Sequence, residues 1–232
     1  MSHPAPPEAA LVFGDALAQA ERYAELLATN GVTRGLIGPR ETGRLWDRHL
    51  LNCAVVAELI PAPGDREHIE LVDIGSGAGL PGVVLALVRP SVHVVLLEPL
   101  LRRAVFLEEC VAELGLANVT VLRARAEEKQ TVAAMAADVA TARAVAPLDR
   151  LTVLAAGLLR PGGQLLAIKG QSAAQELAAA KPVLARLGVR SAEVLQAGHG
   201  MVVSATTVVR VVIGGHGREE RAGAQRSRRG VA

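Results

Sequence analysis

The residues of this 232-residue chain that are best placed to do chemistry surround a glycine-rich turn at positions 75–82. The apolar run Ile69–Ile74 before it is too short for a helix and is typical of a buried parallel strand. The turn contains Gly75, Gly77, Gly79 and Gly82. Glycine adopts positive φ easily and leaves no Cβ in a ligand's way, and the helical pattern that follows offers free N–H groups at its start. The stretch predicts a site where backbone comes close to a ligand.

The spacing of the glycines argues against a dinucleotide-binding turn. The fingerprint G-x-G-x-x-G would place its third glycine at position 80, where the chain has Leu80, and the third glycine comes one place early. The pattern Asp-x-Gly-x-Gly-x-Gly resembles motif I of the class I S-adenosylmethionine (AdoMet) methyltransferases, and its acidic group suits the methionine ammonium of AdoMet. The residues predicted to form this turn are Asp73, Gly75, Ser76, Gly77 and Gly79. A tight turn in some other α/β protein is the alternative.

Composition limits the other function classes. The length allows one large α/β domain with an adjunct, and a net charge of +2 is by itself no evidence for nucleic acid. Cys53 and Cys110 lie in apolar helical patterns without a cluster of metal ligands, so we expect buried thiols in a reducing compartment and no metal site. Because the sequence has no signal-peptide pattern and no apolar run of membrane length, we expect a cytoplasmic protein without a membrane partner.

Four segments are predicted along the chain. Residues 1–7 are rich in Pro and Ala and are expected to be disordered. Residues 8–64 are expected to form an N-terminal helical adjunct. Its two helices are predicted at 8–28 and 40–59. Residues 65–213 are expected to form the ligand-binding domain, and the Gly/Arg-rich tail 214–232 is expected to be disordered because it lacks apolar periodicity.

Strands and helices alternate after residue 65, which is typical of a parallel sheet. The predicted strands span 69–74, 92–98, 119–122, 138–142, 164–169, 191–196 and 206–213. The last two have the pattern of an antiparallel hairpin at the sheet edge. The predicted fold is therefore α/β: a Rossmann-like, doubly wound sheet of seven mostly parallel strands, as in class I AdoMet-dependent methyltransferases, with sites at the carboxyl ends of the strands.

Three side chains at that edge are candidates for the site. Glu98 ends the second strand beside the turn, where its carboxylate can accept both ribose hydroxyls of a nucleoside; an exposed strand-end glutamate is the alternative. Arg143 ends the fourth strand, where methyltransferases place groups that face the methyl acceptor, although an arginine paired with a nearby carboxylate would show the same pattern. Lys169 ends the fifth strand and is expected either to contact RNA phosphate or to be an ordinary strand-end lysine.

Two further stretches carry candidate binding residues. The loop after the third strand borders the adenine in a doubly wound fold, so the Ala126 N–H and Glu127 are expected to recognise its edge; a solvated charge cluster that opens a helix is the alternative. Arg44 and Arg48 flank Trp46 near the start of the second adjunct helix, a pattern that could bind RNA phosphates and stack a base. A tryptophan packed inward is the alternative there.

Several motifs occur in an order that points to one family. They are Trp46-Asp-Arg-His-Leu-Leu-Asn-Cys53, Val72-Asp-Ile-Gly-Ser-Gly-Ala-Gly-Leu-Pro-Gly82, Arg89-Pro90, Leu96-Leu-Glu98 with Arg102-Arg103 and Phe106-Leu107, Arg125-Ala-Glu127-Glu128, Ala142-Arg143-Ala144 and Ala167-Ile-Lys-Gly170. On these motifs the chain closely resembles, over about residues 20–213, the glucose-inhibited division protein B family, the 16S ribosomal RNA guanine-N7 methyltransferases. It departs from the family pattern at Gly198-His-Gly200 and in the Arg-rich tail.

The resemblance implies an AdoMet-dependent enzyme that methylates a guanine N7 in the decoding-region loop of 16S ribosomal RNA, with the small ribosomal subunit as its partner; we expect a monomer. Carried over by motif, the residues that line the AdoMet site would be Gly75, Leu80, Ala126, Glu127 and Arg143. Arg143 is expected to act at the reaction centre as a positioning group rather than as an acid. Two alternatives stay open: a non-catalytic RNA-binding module with an AdoMet fold, and an NAD-dependent oxidoreductase, against which the early Gly79 argues.

Overall fold

The computed structural model describes residues 4–64 and 68–214. Its centre is a seven-stranded sheet in the order β3-β2-β1-β4-β5-β7-β6. The strands are β1 (Ile69–Ile74), β2 (Val92–Leu97), β3 (Val119–Leu122), β4 (Ala137–Arg143), β5 (Leu159–Ile168), β6 (Val189–Ala197) and β7 (Thr206–Ile213). Strands β1 to β5 pair in parallel, whereas β7 lies antiparallel between β5 and β6. The predicted α/β fold with seven mostly parallel strands is confirmed.

The N-terminal adjunct is helical but discontinuous. Its α-helices are α1 (Pro7–Phe13) and α2 (Leu17–Leu26), joined by a 3-10 turn (Gly14–Ala16) and followed by a π-helical turn (Leu27–Gly31). Ala5 packs against the core and Pro7 opens α1, so the structured part begins inside the segment 1–7 that we expected to be disordered. Residues 1–3 lie outside the described residues.

The predicted single helix over 40–59 is instead a series of four short helical pieces. They are Pro39–Arg44 (3-10), Leu45–Leu51 (π), Asn52–Ala54 (α) and Val55–Leu59 (3-10). In the π-helical piece the buried side chains include two pairs that are five residues apart, Leu45 with Leu50 and Trp46 with Leu51. The wider turn of a π-helix brings such pairs onto one face, so tertiary burial overrides the regular helical period here.

The helices after β1 are α3 (Gly82–Val88), α4 (Leu101–Leu114), α5 (Lys129–Ala134), α6 (Leu148–Leu158) and α7 (Ala173–Arg186). Helix α5 follows the charge cluster that ends at Glu128, as in the alternative of a charge cluster that opens a helix. Strand β5 begins at Leu159, five residues before the predicted strand at 164–169, and its pairing with β4 shifts register there. That irregularity lets the chain pass through Pro161 and two glycines without leaving the sheet.

Helices cover both faces of the sheet, and each strand contributes alternate side chains to two cores. The adjunct, α3 and α4 pack on the face that carries Leu71, Leu96 and Val139. Helices α6 and α7 pack on the face that carries Val72 and Leu97. The alternation follows from the two-residue period of a strand and explains why nine of the twelve residues of β1 and β2 are buried and apolar.

The fold places a crevice where β1 and β4 are neighbours and the strand order reverses. Asp73 of β1 is in register with Thr141 of β4, so the glycine turn and Arg143 leave the sheet at the same edge. This edge is where a doubly wound sheet binds its ligand. No helix within the described ranges combines the length and apolarity needed to cross a bilayer. The tail after Gly214, expected to be disordered, lies outside the described residues.

Candidate active site

Asp73 connects the two ends of the glycine turn by a hydrogen bond. Its Oδ2 accepts a hydrogen bond from the Gly82 N–H at 3.0 Å and so connects the end of β1 to the start of α3. Ser76 donates from Oγ to the Asp73 carbonyl oxygen at 3.0 Å, which folds the turn back onto the strand. A Cβ at position 82 would lie 2.7 Å from Asp73 Oδ2, so the close approach of the two chains requires Gly82.

The buried environment changes the acidity of Asp73. Burial raises the pKa of its carboxyl to about 7, against the lowering effect of the hydrogen bond from Gly82. Among the described residues, Asp73 Oδ1 has no hydrogen-bond partner. Because Asp73 supports the turn from beneath and is not among the residues that line the cavity described below, its direct contact with a methionine ammonium stays a prediction.

Glu98 lies beside the glycine turn, as expected, but its carboxylate is already held by backbone. Only 1% of the residue is exposed. Oε2 accepts from the Gly77 N–H and Oε1 from the Leu100 N–H, each at 2.9 Å, and Arg103 Nη1 lies 3.9 Å from Oε2. A carboxylate has about four acceptor positions, so these two hydrogen bonds fix its orientation and leave capacity for a diol. The ribose contact stays a prediction.

Gly75, Gly77 and Gly79 of the turn have positive φ but different surroundings. A Cβ at Gly77 would meet only the Gly75 carbonyl oxygen, at 3.8 Å, so the space beside it is open to a ligand. A Cβ at Gly79 would lie 2.7 Å from Tyr23 Oη and 2.6 Å from Val83 Cγ2. Gly79 therefore faces the adjunct and the core, and packing explains its presence without a ligand.

A cavity of about 520 Å³ opens beside the turn. We call it the turn cavity. Of the residues predicted to bind the cofactor, Gly75, Ser76, Gly77, Leu80, Glu98 and Arg143 line it. Arg103, Arg125 and residues of the adjunct between Leu36 and His49 also line it. Ala126 is buried in the core next to Arg125, and Glu127 is exposed; neither is among the lining residues, so their adenine contacts stay predictions.

Arg143 is held by the adjunct. Its Nη1 donates to the Arg48 carbonyl oxygen at 3.1 Å, and its Nη2 lies 2.8 Å from His49 Nδ1. His49 Nε2 lies 3.1 Å from Glu41 Oε2. Arg143 pairs with a histidine and a carbonyl, so the alternative of a simple arginine–carboxylate pair does not describe these contacts.

Burial and electrostatics favour the neutral form of His49. Burial, followed by the positive charge of Arg143, lowers the pKa of His49, while the Glu41 carboxylate acts in the opposite direction. The hydrogen bond with His49 lowers the pKa of Glu41 in turn. The three side chains thus form a chain of carboxylate, neutral imidazole and guanidinium along the edge of the turn cavity.

A second cavity, of about 640 Å³, adjoins the turn cavity at Arg143. We call it the outer cavity. Arg44 and Arg48 line it together with the loop residues Val202 to Ser204. Glu41, His49, Arg143 and Ala144 line both cavities. Arg44 is exposed, whereas Arg48 Nη1 lies 3.2 Å from Glu41 Oε1 and keeps about half of its side chain in solvent.

Trp46 does not take the base-stacking role that the sequence allowed. It is buried, and its ring meets Phe13 edge-to-face with centroids 6.1 Å apart. Lys169, expected to contact phosphate, is engaged inside the protein: Nζ donates to the Ala146 carbonyl oxygen at 2.9 Å and lies 2.7 Å from Glu176 Oε2. These contacts join the loop before α6 to α7, and the phosphate contact of Lys169 stays a prediction.

Ala144, which borders both cavities, has φ +57°. It is the one non-glycine residue with positive φ in the described ranges. An L-residue in this left-handed region costs roughly 1–2 kcal/mol, and such strain concentrates at functional sites. The strained turn directs the chain away from β4 immediately after Arg143.

The contribution of Glu41 and His49 to the turn cavity was not predicted from the sequence. Glu41 and His49 come from a segment that precedes β1, and His49 meets Arg143 across 94 positions of sequence. Within the chain the available signal was the Trp46–Cys53 motif, which contains His49 but does not indicate what it contacts. In the described part of the chain no cluster of three or more His, Cys, Asp or Glu residues could hold a metal ion.

Known structures support the fold. The chain is similar to a putative S-adenosyl-L-methionine-dependent methyltransferase from Methanococcus maripaludis, with TM-score 0.55 and 14% identity over 92% of this chain and 97% of that one. It is also similar to a SAM-dependent O-methyltransferase from Thermotoga maritima, with TM-score 0.51 and 17% identity over 71% and 65% of the two chains. At these identities the likeness establishes the class I methyltransferase fold.

Sequence comparison is more specific. The chain is 58% identical to the ribosomal RNA small subunit methyltransferase G of Thermobifida fusca and 56% identical to that of Streptomyces avermitilis, in both cases over 91% of this chain and 86% of the relative. The family profile described as rRNA small subunit methyltransferase G, or GidB, matches residues 16–202. That range includes the adjunct segment with His49, the glycine turn, Glu98 and Arg143. The chain therefore belongs to the rRNA small subunit methyltransferase G family.

Proposed function

We propose that this protein transfers the methyl group of AdoMet to N7 of a guanine in the decoding-region loop of 16S ribosomal RNA. The observation that carries the proposal is the wall of four residues shared by the turn cavity and the outer cavity. A methyl transfer needs the donor and the acceptor in adjoining sites, and Arg143 lies where the two cavities meet. Family membership supports the ribosomal substrate.

The residues of the turn cavity fit AdoMet. Its volume of about 520 Å³ lies within the usual range for small-molecule sites. The cavity presents carboxylates (Glu41, Glu98) for an ammonium and a diol, and guanidinium groups (Arg103, Arg125) for a carboxylate. Arg103 Nε is buried and has no hydrogen-bond partner among the described residues, so a donor is available for a ligand. When bound, AdoMet would supply a methyl group attached to a positively charged sulfur.

Methylation of guanine N7 requires the protein mainly to align N7 with the methyl group of AdoMet. N7 carries an in-plane lone pair and loses no proton on methylation, so no general base is required. The contribution of the protein is orientation, which is worth several kcal/mol when reacting atoms are aligned. Arg143 is fixed at Nη1 by the Arg48 carbonyl oxygen and at Nη2 by His49, which suits a positioning group for AdoMet or for an RNA phosphate.

The outer cavity is the proposed place for the target nucleotide. Arg44 and Arg48 lie at its edge, where they can contact phosphates flanking a base that enters the cavity. Lys169 remains part of the proposed RNA surface only if its contacts with Ala146 and Glu176 open on binding. We further propose that the enzyme works in the cytoplasm as a monomer without a metal ion, on the small ribosomal subunit.

Methyl transfer to defined ribosomal substrates tests this function. Small subunits from a strain that lacks the gene should accept about one labelled methyl group each from AdoMet, whereas subunits from the parent strain should accept almost none. Reduction and aniline cleavage should then break the RNA at a single decoding-region guanine. AdoMet binding without transfer would favour the non-catalytic RNA-binding alternative. An absorbance change with a nicotinamide would favour the oxidoreductase.

A further inference from the structure

The hydrogen bonds around His49 determine its tautomer. The arginine side chain has only donors, so His49 Nδ1 must accept the hydrogen bond from Arg143 Nη2 at 2.8 Å. The proton of a neutral imidazole then resides on Nε2, 3.1 Å from Glu41 Oε2, which accepts it. A doubly protonated His49 would offer a hydrogen and a positive charge to Arg143 in place of a lone pair.

We propose that His49 is a positioning residue that holds the Arg143 guanidinium at the boundary between the two cavities, and that it does so only as the neutral Nε2–H tautomer that Glu41 selects. This inference rests on the proposed function for its effect on rate. The arrangement of the three side chains stands on the structure alone. Protonation of His49 would release Arg143 and lower activity in acid.

The charged groups nearest His49 shift its pKa in opposite directions, Glu41 upward and the two arginines downward. Glu41 is the carboxylate in contact with it, and Arg143 and Arg48 are the cations that act on it. The other charged groups that line the two cavities are Glu8, Arg44, Asp47, Glu98, Arg103 and Arg125. Burial and the two cations keep the pKa of His49 below its ordinary value, so the neutral form predominates at pH 7.

The tautomer can be measured in the full-length, ligand-free protein. Nitrogen-15 labelling of the histidines, with two-bond proton–nitrogen correlation spectra recorded between pH 5 and 8, reports the tautomer and pKa of each ring. The signal absent from the spectrum of His49→Asn belongs to His49. We expect an Nε2–H tautomer with a pKa below 6.5. An Nδ1–H tautomer, or titration at 6.5 or above, would overturn the proposal.

Two matched variants separate positioning from simple packing. Asparagine places its side-chain oxygen close to the position of Nδ1, so His49→Asn keeps an acceptor for Arg143 that cannot be protonated. Glutamine reaches toward the position of Nε2, so His49→Gln keeps a partner for Glu41 and moves the acceptor away from Arg143. Circular dichroism and AdoMet affinity of both variants at each pH report whether the fold and the turn cavity remain intact.

Single-turnover methylation rates, measured with a saturating concentration of small subunits between pH 5 and 7.5, then show how protonation of His49 affects activity. The wild-type rate should fall about tenfold per pH unit below the pKa of His49. His49→Asn should retain most of the neutral rate and lose this acid dependence, whereas His49→Gln should be slow at every pH. Asp73, whose pKa burial raises to about 7, is present in all three proteins, so its effect cancels in the ratios. If the rate of His49→Asn falls in acid as steeply as the rate of wild type, His49 does not position Arg143 in the proposed way.

Glu41→Gln provides an independent check that leaves His49 in place. Loss of the carboxylate removes the charge that raises the pKa of His49, so the fall in methylation rate at low pH should move to lower pH. A fall in rate that does not move would contradict the role of Glu41. If even the wild-type protein transfers no methyl group to ribosomal RNA, the proposed function fails, whereas the tautomer measurement still decides whether the chain Glu41–His49–Arg143 exists.

Discussion

Tyr23 Oη donates a hydrogen bond to the Ala78 carbonyl oxygen at 2.6 Å, which ties α2 of the adjunct to the middle of the glycine turn. Both groups are buried, and the same hydroxyl occupies the space that a side chain at Gly79 would need. The adjunct therefore shapes the turn from behind, while its residues Glu41 and His49 line the turn cavity in front. The adjunct is as much a part of the candidate site as the sheet.

We expect Tyr23→Phe to lower the free energy of unfolding by roughly 1–3 kcal/mol, because the buried Ala78 carbonyl oxygen loses its donor. AdoMet affinity should fall as well, since the turn is no longer held by α2. Urea unfolding and calorimetry measure the two effects. Phe13→Leu, which changes a buried adjunct ring that contacts Trp46, is a matched control and should lower stability while leaving AdoMet affinity nearly unchanged. Equal loss of affinity in both variants would contradict this role.

Substitutions at two glycines of the turn should affect ligand binding and stability differently. Gly77→Leu should abolish AdoMet binding, because the new side chain points into open space at the ligand turn, while the protein still folds at a cost of about 1–2 kcal/mol from the positive φ of residue 77. Gly79→Ala should destabilise the protein, because its Cβ would meet Tyr23 Oη and Val83 Cγ2 at less than 3 Å. Thermal unfolding and AdoMet titration distinguish the two; undiminished AdoMet affinity in Gly77→Leu would remove the turn from the cofactor site.

Glu98→Ala should weaken the binding of AdoMet by about 1.5–3 kcal/mol, the usual worth of hydrogen bonds to a charged group. The product S-adenosylhomocysteine contains the same ribose and should weaken equally. Glu98→Gln is the closer variant: it retains one acceptor for the Gly77 or Leu100 N–H, so the turn should keep more of its geometry. Calorimetry with both ligands measures these changes. A response of one ligand alone would place Glu98 away from the ribose.

Local sequence rules were sufficient for the sheet and the glycine turn. The short apolar runs become buried strands, and Glu98 and Arg143 reach the expected edge because parallel strands end together. In the adjunct, burial of Leu45, Trp46, Leu50 and similar residues selects π and 3-10 turns that a regular helical period does not predict.

The side-chain network at the boundary could not be predicted in the same way. His49 and Arg143 are 94 residues apart, and a hydrogen bond between them depends on how the adjunct docks on the sheet. Gly79 shows the converse: its spacing fits a ligand motif, yet its immediate surroundings are Tyr23 and Val83. Lys169 likewise has the position of a phosphate ligand but is bound to Glu176.

The pKa of Asp73 makes a prediction about stability. Its native pKa of about 7 exceeds the ordinary value, so between about pH 4 and 7 the native state holds a proton that the unfolded state releases. Stability should therefore fall as pH rises through this range, by up to about 4 kcal/mol from this group. Asp73→Asn cannot ionise, and its amide can still accept from the Gly82 N–H.

As the pH rises from 5 to 8.5, the unfolding free energy of wild type should therefore fall relative to that of Asp73→Asn. Urea unfolding at several pH values measures it. The exposed carboxylate of Asp15 supplies the control, because Asp15→Asn should show no comparable shift. Parallel pH profiles for wild type and Asp73→Asn would mean that the carboxyl is already ionised at pH 5 in the native protein.

Arg143→Lys should reduce the single-turnover rate about 100-fold despite keeping the charge, because one ammonium cannot replace a planar fork that contacts both the Arg48 carbonyl oxygen and His49 Nδ1.

Methylation of guanine N7 removes no proton, so the wild-type rate on saturating subunits should stay flat from about pH 6.5 to 9. Asp73 titrates within this window, and Asp73→Asn should therefore show the same flat profile if that carboxyl takes no part in the chemistry. A rate that climbs tenfold per pH unit in both proteins would reveal a general base. The methyl acceptor would then be an amine or a carbon that must lose a proton, and N7 would be the wrong atom.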